Sequence, residues 1–120
     1  LTNALAATGA GGHVTVTLST RPATSEDRER ASVTGRFDLE TMALLTVRDS
    51  GCGMPREDVD RAFQAFFTTK AIGKGTGLGL FLSREAVVAH GGQLILESDV
   101  GVGTTVTVEL PGMRTDSSAV

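Results

Sequence analysis

Two glycine-rich stretches decide how this chain folds around a ligand: Asp49-Ser50-Gly51-Cys52-Gly53-Met54-Pro55 and Gly73-Lys74-Gly75-Thr76-Gly77-Leu78-Gly79-Leu80. Between them lies Phe63-Gln64-Ala65-Phe66-Phe67-Thr68-Thr69-Lys70. Glycine has no Cβ, so backbone amides in such stretches can approach an anion closely and adopt positive φ. Two glycine clusters that frame hydroxyls and lysines therefore predict a nucleotide site.

The segments outside these clusters predict four strands. Residues 14–19 alternate between apolar and polar, a pattern typical of a half-buried strand. Residues 42–48 are apolar on both faces, which is typical of an interior strand. Residues 94–97 and 104–110 predict the last two strands, with the glycine-rich residues 101–103 as the turn between them.

Three further segments predict helices. Residues 1–8 have the composition of a helix end, residues 56–63 form a short helix after Pro55, and residues 77–90 form a long amphipathic helix that ends at Gly91-Gly92. Taken in order, these elements predict an α+β protein, a two-layer α/β sandwich with helices on one face of a mixed sheet.

The remaining segments are polar and lack periodicity. Residues 21–40 contain Pro22 and a run of charges, so we expect an exposed excursion between two strands. Residues 64–76 are expected to form a mobile loop, and residues 113–120 a polar tail. A chain of 120 residues is long enough for one hydrophobic core, so residues 1–112 are expected to form one domain.

Composition excludes several classes of function. The formal charge is −3, and 11 basic residues are scattered among 14 acidic ones, which leaves no basic face for a nucleic acid to follow. The chain has no run of about 18 apolar residues, so we expect no membrane contact by this domain. With one cysteine, Cys52, it can form no internal disulfide, which fits a cytoplasmic protein. We interpret Cys52 as a small loop residue rather than a reactive thiol.

The second glycine cluster fits neither of two familiar phosphate-binding motifs. Gly73-Lys74 lacks the upstream glycine of a P-loop, and the spacing of residues 75–79 differs from a dinucleotide fingerprint. Glycines at the start of a helix can simply allow close packing. With Lys70, Lys74 and Thr76 beside exposed amides at a helix N-terminus, however, anion binding is the better interpretation.

Two polar residues outside this cluster are candidates for ligand contacts. Asp49 ends the interior strand, where its carboxylate can accept a hydrogen bond from an amine donor, although it can also simply cap the following turn. Asn3 offers a neutral oxygen suitable for magnesium, although a polar residue in a helix can also simply face water. The residues alone leave both alternatives open.

In this order the motifs resemble those of the catalytic, ATP-binding domain of bacterial sensor histidine kinases, which belongs to the GHKL superfamily with gyrase, Hsp90 and MutL and has the Bergerat-type fold. Residues 3–7 resemble the end of its asparagine box, residues 49–55 its first glycine box and residues 63–70 its phenylalanine box. Residues 75–80 resemble the second glycine box, and residues 101–104 the last short one. The resemblance covers nearly the whole chain.

The resemblance implies a role for each matching residue. Asn3 would hold magnesium, and Asp49 would accept from the adenine amine with the help of Thr104 through a water. Gly51 and Gly53 would let the backbone pass the base. The lid and phosphate contacts would come from Phe66, Phe67, Thr68, Thr69, Lys70, Lys74, Gly75 and Thr76. The amides beneath the phosphates would be those of Gly77, Leu78, Gly79 and Leu80.

The implied reaction is transfer of the γ-phosphoryl group of ATP to a histidine on a dimerisation domain, with a response regulator downstream. That histidine-bearing domain is absent from the sequence, so we expect a monomer that does not phosphorylate itself. Ala65 and Ala6 depart from the family pattern, and Ala6 removes one possible phosphate contact. A gyrase-type or MutL-type hydrolase, an anti-sigma serine kinase and a non-catalytic nucleotide-sensing module remain as alternatives.

Overall fold

The computed structural model describes residues 11–35, 39–64 and 79–112 of the chain. The strands are β1 (Val14–Pro22), β2 (Thr41–Asp49), β3 (Gln93–Asp99) and β4 (Gly103–Pro111). The helices are α1 (Ser25–Ala31), α2 (Arg56–Arg61) and α3 (Gly79–Ala89), with a 3₁₀ turn at Ser32–Thr34. All four predicted strands are confirmed, as are the predicted helices after Pro55 and before Gly91. The predicted helix at residues 1–8, the polar tail and nearly all of the predicted loop lie outside the described residues.

The described strands form one sheet in the order β1-β2-β4-β3. This order makes β2 an interior strand, as predicted, and the two-layer α+β class is confirmed. All three pairings are antiparallel, so the described strands contribute no parallel pair to the predicted mixed sheet. Strands β3 and β4 are antiparallel because a short hairpin connects them, and such a connection cannot join parallel strands.

The strand register determines which side chains share a face. Asp49 pairs with Thr104, and Thr104 pairs with Ser98, so these three polar residues form one row across β2, β4 and β3. Because side chains two residues apart lie on the same face, Leu45 and Val47 continue this face from Asp49. The sheet therefore presents a polar row at one end of an otherwise aliphatic face.

Helix α1 corrects the prediction that residues 21–40 form a solvated excursion. Thr24 caps the helix by accepting from the backbone N–H of Asp27, while the Asp27 carboxylate accepts from the backbone N–H of Thr24. This reciprocal pair is a capping box with aspartate at the third position. The helix buries Ala31 against Met42, and Leu39 completes the small cluster. The helix was not predicted because the charges and the proline of this segment are typical of a loop, although Thr24 and Asp27 are typical of a helix start.

A buried ionic network joins α1 to the sheet. The Asp27 carboxylate is fully buried and accepts from Arg21 and Arg30 at 2.6 Å each. Arg21 also donates to Glu109 at 2.8 Å, which links α1 and β1 to β4. These bonds hold the pKa of Asp27 well below its usual range, chiefly through the hydrogen bond from Arg21, although burial acts in the opposite direction. The network lies near the start of β2, about 25 Å along the strand from Asp49.

We expect the network to make the fold sensitive to acid. Because the folded pKa of Asp27 lies below its unfolded value of about 4, its contribution to stability is complete above that pH and is lost as the pH falls below it. Urea unfolding between pH 7 and pH 2.5 should therefore show a steeper loss below about pH 4 in the wild-type protein than in Asp27→Asn. Parallel curves for the two proteins would show that Asp27 does not titrate with folding.

Candidate functional site

The Asp49 carboxylate is anchored at the end of β2. Asp49 is buried, with a relative exposure of 6% for the whole residue. Its Oδ1 accepts from the backbone N–H of Gly51 at 2.9 Å and from that of Thr104 at 3.3 Å. In the described part of the chain nothing donates to Oδ2. Asp49 thus caps the following turn with one oxygen, as the simpler interpretation predicted, and retains the other as a free acceptor.

Two glycines allow the backbone to close around this carboxylate. Gly103 has φ of +138°, and a Cβ at this position would overlap the carbonyl oxygen of Asp49. Gly53 has φ of +69°, and its Cβ would overlap the carbonyl oxygen of Asp99. The two loops are also joined by a hydrogen bond of 2.8 Å from Gly101 N to Cys52 O. The first glycine cluster and the β3–β4 turn therefore form one compact unit.

Ser98 was not predicted as a site residue, yet it connects every part of this unit. Its Oγ accepts from the backbone N–H of Met54 at 2.8 Å and lies 3.1 Å from the carbonyl oxygen of Gly103, to which it donates. The Oγ1 of Thr104 lies 2.7 Å away. Because a hydroxyl has one proton, Thr104 must then donate to Ser98, and its own oxygen is left to accept. The register of β3 and β4 identifies Ser98 as a site residue, and the sequence alone does not give this register.

The start of β1 fixes the other side of the first glycine cluster. Ser50 N donates to His13 O at 3.0 Å, and His13 N donates to Ser50 Oγ at 2.7 Å. These reciprocal bonds join residues 37 positions apart in the sequence. His13 therefore contributes its backbone to the site.

The structure brings together four of the predicted site residues: Asp49, Gly51, Gly53 and Thr104. Of the second glycine cluster, it describes Gly79 and Leu80, which begin α3. The predicted residues that lie outside the described ranges are Asn3, Phe66, Phe67, Thr68, Thr69, Lys70, Lys74, Gly75, Thr76, Gly77 and Leu78. Their predicted roles remain predictions.

Phe63, the first residue of the phenylalanine stretch, contacts α3. The guanidinium of Arg84 lies 5.2 Å from the centroid of the Phe63 ring, within the range of a cation–π contact. This contact fixes Phe63, the last aromatic residue before the segment that the structure leaves out, against the helix that follows that segment.

The described residues contain neither a preformed metal cluster nor a membrane-spanning helix. No group of three or more His, Cys, Asp or Glu side chains is placed to hold a metal ion within residues 11–35, 39–64 and 79–112. In the same ranges, no helix is both long enough and apolar enough to cross a membrane. Cys52 is exposed at the surface of its loop.

Comparison with known proteins places this geometry in a family. Residues 1–114 match the family described as histidine kinase-, DNA gyrase B- and HSP90-like ATPase. The chain is 34% identical to the sensor histidine kinase WalK of Bacillus subtilis over 116 residues, and this alignment covers 92% of the chain. The chain spans 16% of the length of that relative.

Solved structures agree with the sequence match. The mycobacterial sensor histidine kinase MprB superimposes with a TM-score of 0.66 and 28% identity, over 92% of this chain and 63% of that one. Full-length ShkA in complex with AMPPNP superimposes with a TM-score of 0.65 and 26% identity, over 92% of this chain and 19% of that one. The chain therefore belongs to the family of histidine kinase-, DNA gyrase B- and HSP90-like ATPases. Within it, the chain is an ATP-binding catalytic domain of the sensor histidine kinase type.

Proposed function

We propose that this domain binds Mg-ATP and transfers its γ-phosphoryl group to a histidine on a dimerisation domain of the same protein, which then passes the group to a response regulator. The observation that supports this most directly is the Asp49 carboxylate, buried and anchored through Oδ1 while Oδ2 has no donor among the described residues. A buried charged acceptor requires a donor, because an unpaired one carries a large desolvation cost.

An adenine base supplies that donor. Its exocyclic amine can donate to Asp49 Oδ2, whereas a base with a carbonyl at this position would place two acceptors against each other. Thr104 pairs with Asp49 across β2 and β4, and its hydroxyl oxygen can hold a water that also contacts the base. Gly103 and Gly53 let the two loops pack directly against each other, which holds in place the backbone beside the Asp49 carboxylate.

The phosphates would lie toward the start of α3. There, Lys70, Lys74 and the amides of Gly75 to Leu80 would neutralise the triphosphate, as sequence and family membership indicate. Magnesium, held by Asn3 in this proposal, would supply positive charge to the β- and γ-phosphates. Phosphoryl transfer depends mainly on positioning and charge neutralisation, so these residues need to orient the nucleotide rather than react with it.

Asp49→Ala should weaken ATP binding about tenfold or more, because a hydrogen bond to a charged group contributes roughly 1.5–3 kcal/mol. Inosine triphosphate, which carries a carbonyl in place of the amine, should bind the wild-type protein weakly and lose little affinity on the same substitution. Isothermal titration calorimetry of both nucleotides, with the exposed acid Glu57→Ala as a control, measures the ratio of the two affinities.

If Asp49→Ala weakened both nucleotides equally, Asp49 would only shape the turn and the base-recognition proposal would fail. A separate assay distinguishes the kinase from a hydrolase of the same family. A kinase domain should release inorganic phosphate slowly when no histidine-bearing domain is present, whereas steady ATP turnover by the isolated domain would favour the hydrolase.

A further inference from the structure

A cleft lies along the outer edge of β3. It has a volume of about 590 Å³ and is bounded on one side by α2, through Arg56, Val59 and Asp60. On the other side, both Leu96 and Glu97 line it. Adjacent residues of a strand point to opposite faces of the sheet, so a cleft that contacts both must follow the edge of the strand. Met54, Pro55 and Ser98 also line this cleft, whereas Asp49 and Thr104 do not, so it adjoins the proposed nucleotide site without containing the Asp49 carboxylate.

The outer edge of β3 has no strand partner among the described residues, although Gly53 and Met54 lie against its C-terminal end. Strand β3 is the last strand in the sheet order, and among the described residues no strand pairs with its outer side. In an antiparallel pair, every second residue directs its N–H and C=O away from the partner strand. An edge of this kind can accept an extended peptide as an additional strand, with a neighbouring helix as the second wall of the groove.

The side chains of the cleft define what such a peptide must carry. Its apolar lining residues include Val59 and Leu96, which are half-buried, and Val100, which is 67% exposed. Three exposed carboxylates, those of Asp60, Glu97 and Asp99, also line the cleft.

The charge balance of the cleft is negative. Arg56 is the single basic residue of its lining, against the three carboxylates. Within the described ranges, none of these carboxylates forms an ion pair. Alternating apolar and basic side chains would complement this surface, since residues of a bound strand point alternately toward and away from it.

We propose that this cleft binds an extended, basic segment of a partner protein, which pairs with β3 as an additional strand. The negative charge disfavours a nucleotide triphosphate or a nucleic acid as the occupant, because their phosphates would lie near the carboxylates. It also disfavours a second copy of this chain, since two β3 edges would bring Glu97 and Asp99 of both copies together.

The proposal is tested with fluorescein-labelled octapeptides by fluorescence anisotropy. A peptide of alternating lysine and valine should bind saturably, and the same peptide with glutamate in place of lysine should bind at least about tenfold more weakly. The double variant Glu97→Lys with Asp60→Lys should weaken the lysine peptide about tenfold. The control Glu40→Lys with Glu85→Lys makes the same charge change at exposed positions outside the cleft and should leave its affinity within about twofold.

Strand pairing is tested separately from charge by N-methylation of the lysine peptide. Only alternate N–H groups of a bound strand face β3, so methylation of one alternating set should abolish binding and methylation of the other should not. Equal effects of the two sets, equal effects of the two double variants or the absence of saturable binding would each overturn the proposal. Peptide-independent dimerisation through β3, measured by sedimentation, would identify a second copy as the occupant and would also overturn it.

Discussion

Gly103→Ala should lower the free energy of unfolding by about 3 kcal/mol or more and weaken ATP binding in the same protein. Gly103 has φ of +138°, a conformation that residues with a Cβ rarely adopt, and the added Cβ would overlap the carbonyl oxygen of Asp49. The end of β2 must therefore move away from β4. Because the Asp49 carboxylate is positioned by that strand end and by Thr104 N, the displacement should disrupt the proposed adenine contact as well.

The same hairpin provides a matched control for this prediction. Gly101 also has a positive φ, +79°, but a Cβ there would meet no atom within 4 Å. Gly101→Ala should therefore cost about 1–2 kcal/mol, from backbone strain alone. Urea denaturation measures the two costs, and calorimetry with ATP measures the two affinities. Equal stability and affinity in the two variants would show that the contact between β2 and the hairpin is not what requires glycine.

The sequence predicted best the elements whose pattern is local. The alternation of apolar and polar residues at 14–19 and 104–110 identified β1 and β4. Pro55 correctly predicted where α2 begins, and Gly91 where α3 ends. Helix α1 was missed although its capping box is also local, because Thr24 and Asp27 stand in a segment of mixed charge and proline. Its stability depends on burial of Ala31 against Met42, a contact that no local pattern indicates.

The site residues that lie at a strand end or in a glycine cluster could be predicted from the sequence. Asp49 and Gly53 are recognisable because they belong to the first glycine cluster. That they lie near Thr104 follows once β2 is known to pair with β4. Ser98 was not recognisable, because its role depends on the register of the β3–β4 hairpin and on a bond to Met54, 44 residues away. The link between Arg21 and Glu109 spans 88 residues and likewise required the fold.

Asp27→Ala should destabilise the domain by about 3 kcal/mol. Removing one partner of a buried ion pair typically costs 3–5 kcal/mol, because the remaining charges lose their compensation. Here the lower value applies, since the side chains of Arg21 and Arg30 keep 31% and 32% of their surface exposed and can regain water. The substitution also removes the acceptor for Thr24 N at the start of α1.

The control for this prediction is Glu29→Ala in the same helix. Glu29 is exposed and its side chain forms no ion pair within the described residues, so its loss should change stability by no more than about 0.5 kcal/mol. Because the network lies at the far end of β2 from Asp49, the folded fraction of Asp27→Ala should retain wild-type affinity for ATP. A loss below about 1 kcal/mol for Asp27→Ala would mean that water replaces the carboxylate without cost and that packing of Ala31 and Met42 alone holds α1 on the sheet.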